Sequence, residues 1–316
     1  MFRKLTIALL AWVFVLSACG PAALPPAPTP LSVASATPAS IRLTDGLGRT
    51  VVLSHPAQRI VSMAPSNTEI LFAIGAGAQV AGRDMFSDYP EAAKSLPDIG
   101  GSMGQFSMEQ IVALKPDLVL AAELNTPEQV QAMEQLGLTV YYLKNPTNLE
   151  GLYTNLETVG LLSGQDAKAA ALAQSLKARV AAVDARIATV TNKPSVFYEL
   201  DSTDPAKPYT AGPGSYVDLL IARAGGTNVG AALKGQWAQM SLEQLVVANP
   251  HFILLGDAAY GATPASLNTR PGWETLSAIR QARVLVFDDN TVSRPGPRLV
   301  DGLEALAKIL HPELFK

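Results

Sequence analysis

The chain has 316 residues, 48% of them hydrophobic and 16% charged, which is enough for two compact lobes of about 100 to 150 residues each. Its formal net charge is -3, and the acidic excess grows when Arg3 and Lys4 are set aside as part of a targeting segment, so no basic surface is available for nucleic-acid phosphates. The single cysteine, Cys19, excludes an internal disulfide framework, a zinc knuckle and a Cys-x-x-Cys redox centre.

Arg3 and Lys4 form a charged n-region and Leu5 to Leu16 an apolar stretch, and Leu16-Ser17-Ala18-Cys19 is a small-residue cleavage site that ends in cysteine. Residues 1–18 therefore read as a lipoprotein signal peptide, with Cys19 as the lipidated N-terminus of the mature chain. The apolar run is too short for a comfortable bilayer span of ~20 residues, and no later stretch is continuously apolar over that length. From 19 to 40 the sequence is rich in Pro, Ala, Ser and Thr without hydrophobic period, the composition of a semi-extended tether. The expected location is the outer face of the cytoplasmic membrane, held by lipid alone.

Ile41–Leu43 and Thr50–Leu53 flank Asp45-Gly46-Leu47-Gly48 and predict an entry hairpin. Short apolar strands then alternate with capped helices, the pattern of a parallel sheet covered on both faces. Ser66 with Glu69, Ser107 with Gln110, and Thr126 with Gln129 each pair a hydroxyl at the cap with a reaching side chain three residues on. Gly137 supplies a helix stop before a strand at 139–143. Between Ser163 and Val190 an Ala-rich segment predicts one continuous helix of roughly 40 Å. The fold class is α/β: an N-terminal lobe over 41–160, a rigid backbone helix over 161–192 and a C-terminal lobe over 193–316, each lobe with a mainly parallel sheet flanked by helices. A helix between lobes limits ligand capture to modest closure.

An internal repeat supports the two-lobe reading. Phe106-Ser107-Met108-Glu109-Gln110-Ile111 through Leu120 matches Met240-Ser241-Leu242-Glu243-Gln244-Leu245 through Leu254, each copy reading as cap, helix, proline turn and buried strand. A ligand groove between the two lobes follows, because clefts favour domain interfaces and the carboxyl ends of parallel strands.

Ala64-Pro65-Ser66-Asn67-Thr68-Glu69, Ser87-Asp88-Tyr89-Pro90, Leu114-Lys115-Pro116-Asp117 and Ala224-Gly225-Gly226-Thr227-Asn228 resemble the periplasmic-binding domain of cobalamin and ferric-siderophore ABC importers, from about Ile41 to the C-terminus. Within that helical-backbone family, Ser-Asp-Tyr-Pro, Trp237-Ala238-Gln239-Met240-Ser241 and Arg294-Pro295-Gly296-Pro297-Arg298 are most similar to cobalamin binders. The resemblance implies a monomeric binding protein without a cofactor of its own, which hands a cobalamin or other corrinoid to a permease dimer with a cytoplasmic ATPase; a ferric siderophore or haem is the alternative ligand. It also implies that Glu109 and Glu243 meet permease arginines. Tyr89 and Trp237 match aromatics that flank the corrin ring, Tyr209 falls near another aromatic of that cleft, and Arg294 matches a cleft arginine. Asn290, four positions before Arg294, stands in place of the family's usual acidic residue, with Asp289 as its neighbouring substitute, and Met103 stands where cobalamin binders can carry a tryptophan.

A ferric siderophore calls for converging positive charge, which Arg83, Arg294 and Arg298 are placed in sequence to supply. A bare metal ion fits poorly, because His55, His251 and His311 lie in three unrelated segments. The chain is not expected to be an enzyme: it has no nucleophile elbow, P-loop or dinucleotide fingerprint, and Asp201, Asp204, Asp288 and Asp289 fall where loops follow strands. A surface receptor feeding a signalling partner is the remaining reading of a different class.

Overall fold

The computed structural model describes residues 40–316. The signal peptide, Cys19 and all of the tether but Ser40 lie outside the described residues. Among those described, no helix is long and apolar enough to cross a membrane.

Strands β1 (Ile41–Thr44) and β2 (Thr50–Leu53) form the expected antiparallel hairpin. Its turn is organised by Asp45, whose carboxylate accepts the Leu47 and Arg49 amides and the Arg49 guanidinium. The N-terminal lobe then follows: β3 (Ile60–Ser62), α1 (Pro65–Ala73), β4 (Val80–Arg83), α2 (Met108–Ala113), β5 (Leu118–Ala122), α3 (Pro127–Gln135), β6 (Val140–Leu143) and α4 (Leu149–Ser163). Its sheet is wholly parallel in the order β4-β3-β5-β6.

Helix α5 (Asp166–Ile187) leads into the C-terminal lobe: β7 (Ser195–Asp201), β8 (Tyr209–Ala211), α6 (Tyr216–Arg223), β9 (Thr227–Asn228), β10 (Trp237–Gln239), α7 (Leu242–Ala248), β11 (Phe252–Leu255), α8 (Pro264–Leu267), α9 (Ser277–Arg280), β12 (Val284–Val286), α10 (Asn290–Ser293) and α11 (Leu299–Leu310). This sheet runs β10-β8-β7-β11-β12 and is mixed: β11 pairs in parallel with β7 and β12, whereas β8 is antiparallel to β7 and β10.

Strand residues alternate between two apolar layers, as the two-residue period requires. Ile60, Leu118, Leu120, Val196, Tyr198 and Leu254 face one continuous core that runs through both lobes. Val61 and Val119 face a second cluster under α2 and α3, and Phe197, Ile253 and Leu255 a third around Trp273. The shared core contains Ala169, Ala173, Leu176, Val180 and Val183, spaced at four and three residues along one face of α5. That helix packs on α4 at one stage and on α11 at another, so it is buried into both lobes and bending it would disrupt packing on each side.

Two local expectations are corrected. The long helix begins at Asp166, because Gly164 adopts a left-handed conformation (φ 69°) that closes α4 after Ser163; α5 is 22 residues, about 33 Å. Ser66 is not a cap. Pro65 occupies the first helical turn, the cap position falls on Ala64, and Glu69 turns to other partners. Ser107, Thr126 and Ser241 cap their helices, Thr126 and Ser241 in reciprocal capping boxes with Gln129 and Gln244.

Candidate functional site

A cleft runs between the lobes in two compartments that share Arg294. The first, about 600 Å³, is walled on the N-terminal side by the carboxyl ends of β3, β5 and β6 (Ala64, Glu123, Leu124, Lys144) and on the C-terminal side by Tyr216 and Trp237. The second, about 480 Å³, takes Met85 and Phe86 from the segment after β4, Tyr260 from the turn after β11, and Val286, Asp289 and Asn290 around the end of β12. Both compartments therefore gather the ends of parallel strands, where backbone loops diverge and leave room for a ligand.

The cleft edges carry apolar surface that a folded chain normally covers. Trp237 is 51% exposed, Phe86 51%, Leu124 62% and Tyr260 91%. Of the sequence-predicted ligand residues, Trp237 and Arg294 line the first compartment, and Asp289, Asn290 and Arg294 the second. Tyr89 lies elsewhere, in a pocket of about 140 Å³ beside α5, with its ring 4.2 Å from the Arg298 guanidinium. Tyr209 starts β8 opposite Gln239 and Met103 stands almost fully exposed on a tight turn at φ 49°; neither lines the two compartments. Phe86, Leu124 and Tyr260 carry no local sequence pattern; only their position after a strand end marks them.

Arg294, in the wall of both compartments, belongs to an ion-pair network that joins the lobes and continues to Glu69 and Arg298 in the small pocket beside α5. Glu69 on α1 accepts from Arg298 Nε at 3.0 Å and Arg298 Nη2 at 2.7 Å, and from Arg294 Nη1 at 3.3 Å. Arg294 also meets Asp88 at 2.6 Å, and Arg298 lies 3.7 Å from Asp288. The three arginines do not converge as free positive charge: Arg83 is held separately by Asp98 at 3.4 Å and the Asp84 carbonyl. A second bridge is neutral, with the Tyr216 hydroxyl donating to the Pro146 carbonyl across the first compartment. Burial pushes the Tyr216 phenol up, aided by the Glu123 charge, so it stays protonated as this donor.

Electrostatics differ between the carboxylates near Arg294. Burial pushes the Asp289 carboxyl up, and the Ser293 and Tyr198 hydroxyls only partly oppose it. Asp88 is also penalised by burial, but the Arg294 hydrogen bond and charge outweigh this and hold it below the ordinary range. A further cavity of about 540 Å³ lies within the C-terminal lobe beside the carboxyl ends of β7 and β11, with Asp257 and Arg270 in its wall. Only one lobe lines it, and Arg270 is already committed to the buried Glu199. Among the described residues no three His, Cys, Asp or Glu side chains group as a metal-holding cluster.

Glu109 and Glu243 are exposed in the first turns of α2 and α7, and no ion pair engages either among the described residues. The start of α2 is hydrogen-bonded to Ile99, which bonds the end of β4, and the start of α7 to Ala206 in the segment after β7, so each helix N-terminus lies beyond the carboxyl edge of its sheet. His55 bonds within a surface turn, His251 bonds Ser195 at the start of β7, and His311 is buried against the Gly225 carbonyl.

The sequence and the fold are similar to those of known proteins. The chain is 32% identical over 281 residues to an uncharacterised ABC transporter substrate-binding lipoprotein, YvrC, of Bacillus subtilis, covering 87% of each chain. Its fold is similar to the crystal structure of the periplasmic vitamin B12 binding protein BtuF of Vibrio cholerae (TM-score 0.69, 27% identity, 83% of this chain and 99% of that one). It is also similar to the periplasmic heme-binding protein RhuT of Roseiflexus sp. RS-1 in apo form (TM-score 0.73, 30% identity, 82% and 99%). The periplasmic binding protein family model matches residues 60–291, reaching into both lobes, and the chain belongs to that family as a substrate-binding protein of ABC transporters.

Proposed function

We propose that the protein captures a corrinoid in the interlobe cleft and delivers it to a permease dimer outside the cytoplasmic membrane. One observation carries the ligand class: exposed aromatic and aliphatic side chains from both lobes (Phe86, Leu124, Trp237, Tyr260) line the two compartments, and Arg294, the arginine common to both, is already paired with Glu69 and Asp88. Such a site favours a broad, weakly charged macrocycle, which gains from aromatic cover and needs no strong counter-charge. An anionic ferric chelate would have to compete with Glu69 and Asp88 for the same guanidinium groups. The relatives named for vitamin B12 and cobalamin support the reading.

Within it, Glu109 and Glu243 dock on permease arginines, Cys19 carries the lipid, and the protein acts as a monomer without a cofactor or catalytic step of its own. Intrinsic fluorescence titration with cobalamin, cobinamide, haem and a ferric siderophore tests the ligand, with Trp237 as reporter. Saturable quenching by the two corrinoids at lower concentration than by the others is the expected result. Preference for haem, the ligand class in RhuT's name, or for the siderophore overturns it.

A further inference from the structure

The geometry points to Glu69 as the positioning residue that sets the charge selectivity of the cleft, by ion-pairing Arg294, which lines both compartments, together with Arg298 behind it. This deepens the binding role proposed above and rests on it. The loop Arg294-Pro295-Gly296-Pro297-Arg298 wraps around this carboxylate. A Cβ on Gly296 would come within 3.3 Å of Glu69 Oε2, so the absence of a side chain there lets the loop approach closely and bring both arginines onto one acid.

The cluster contains two cations, Arg294 and Arg298, and three carboxylates, Glu69, Asp88 and Asp288, for a formal charge of 2 - 3 = -1. These carboxylates are not equivalent. The Asp88 and Asp288 side chains are 50% and 58% exposed and are screened by water, whereas that of Glu69 is 2% exposed. Of the two carboxylates that bond Arg294 directly, Glu69 is the one shielded from water, while Asp84 and Asp289 act on it without a hydrogen bond; Arg294 is the residue common to both compartments. With Glu69 ionised, a ligand carboxylate or phosphate above Arg294 meets an already satisfied guanidinium and a buried like charge behind it. With Glu69 neutral, two poorly hydrated guanidinium groups seek an anion, and the ligand is the mobile source of one.

The test compares wild type, Glu69→Gln and Asp88→Asn by fluorescence titration against two ligand pairs that differ chiefly in charge: cyanocobalamin with its monocarboxylate, in which one side-chain amide is hydrolysed, and the dimethyl ester of haem with haem itself. Glu69→Gln should shift the affinity ratio at least about tenfold toward the anionic member, and added salt should shrink the shift. Asp88→Asn, which leaves Glu69 in place and alters an exposed partner, should shift it the same way by less. Equal loss of affinity for both members, or an unchanged ratio, would mean that Glu69 is only an interlobe brace and would overturn the proposal. If Glu69→Gln fails to fold, an unchanged ratio in Asp88→Asn overturns it. A wild type that ignores both corrinoids but takes haem refutes the corrinoid reading alone, and the haem pair still decides Glu69; binding of neither pair overturns both.

Discussion

Lys115 and Asn249 occupy the same position in the two copies of the internal repeat, and both adopt the left-handed backbone, at φ 48° and 40°. Each follows a serine-capped helix and precedes a proline that starts the turn into a buried strand. The geometry costs an ordinary side chain about 1 kcal/mol or more, and asparagine less. Asn249 also accepts hydrogen bonds from the Ser277 amide at 2.8 Å and hydroxyl at 2.9 Å. Lys115→Asn should therefore raise unfolding free energy by roughly 0.5 kcal/mol, and Asn249→Ala should lower it by about 1 to 2 kcal/mol. Urea denaturation of both variants measures this, and a stabilising Asn249→Ala would contradict it.

The repeat, the caps at Ser107 and Thr126 and the alternation of strands and helices were legible because each rests on a local pattern: hydroxyl at the cap, glutamine three residues on, a short apolar run in the strand. Asp117 and His251 show how far the duplication extends, since each accepts from the backbone amide beside the neighbouring strand, at Arg59 and Ser195. Contacts between distant segments left no such trace. Ser66 and Glu69 fit a capping box by spacing, but Pro65 moved the helix start and Glu69 found arginines 225 and 229 residues away. Motif resemblance marked Tyr89 and Tyr209, yet the main cleft is flanked by Phe86 and Tyr260, which belong to loops whose course no short pattern encodes.

For docking, charge rather than shape is the decisive test. Glu109→Lys combined with Glu243→Lys replaces two exposed, unpaired carboxylates with cations while leaving buried neighbours untouched, so the fold should change by less than about 1 kcal/mol. Ligand affinity should stay within about twofold, whereas stimulation of the transporter's ATPase and vesicle uptake should be lost. Either single variant should give a partial defect. Full uptake by the double variant would remove these residues from the interface.

The aromatic content of the cleft separates two sets of residues. Trp237→Ala and Tyr260→Ala each remove an exposed ring from a compartment wall, and loss of about 1 to 2 kcal/mol of contact corresponds to roughly 5- to 30-fold weaker binding. Tyr209→Ala, outside both walls, should change affinity by less than about twofold. Isothermal titration with the ligand identified by the panel reads all three. A Tyr209 effect as large as that of Trp237 would require the ligand to extend beyond the two compartments.

Acid stability should be governed by carboxylates that the fold has moved in opposite directions. Asp45 is pushed up by burial, but hydrogen bonds from the Arg49 guanidinium and from the Arg49 and Tyr142 amides outweigh this and hold it below its ordinary value. Because the folded state binds that proton more weakly, Asp45 contributes stability above its unfolded value of about 3.9, and the contribution is lost as pH falls through the lower folded value. Asp289 has the opposite sign: burial raises it, so its ionisation disfavours the folded state once pH climbs past the unfolded value toward the folded one. Asp45→Asn should cost about 1 to 3 kcal/mol at pH 7, where the hairpin turn loses its charged acceptor, and the gap to wild type should close below pH 4. Asp289→Asn keeps a polar acceptor for Tyr198 and should cost less at pH 7 than at pH 3, because wild type no longer carries the buried charge in acid. Denaturation midpoints measured from pH 3 to pH 7 read both slopes, and parallel curves for Asp45→Asn and wild type across that range would show that Asp45 is not the group that titrates.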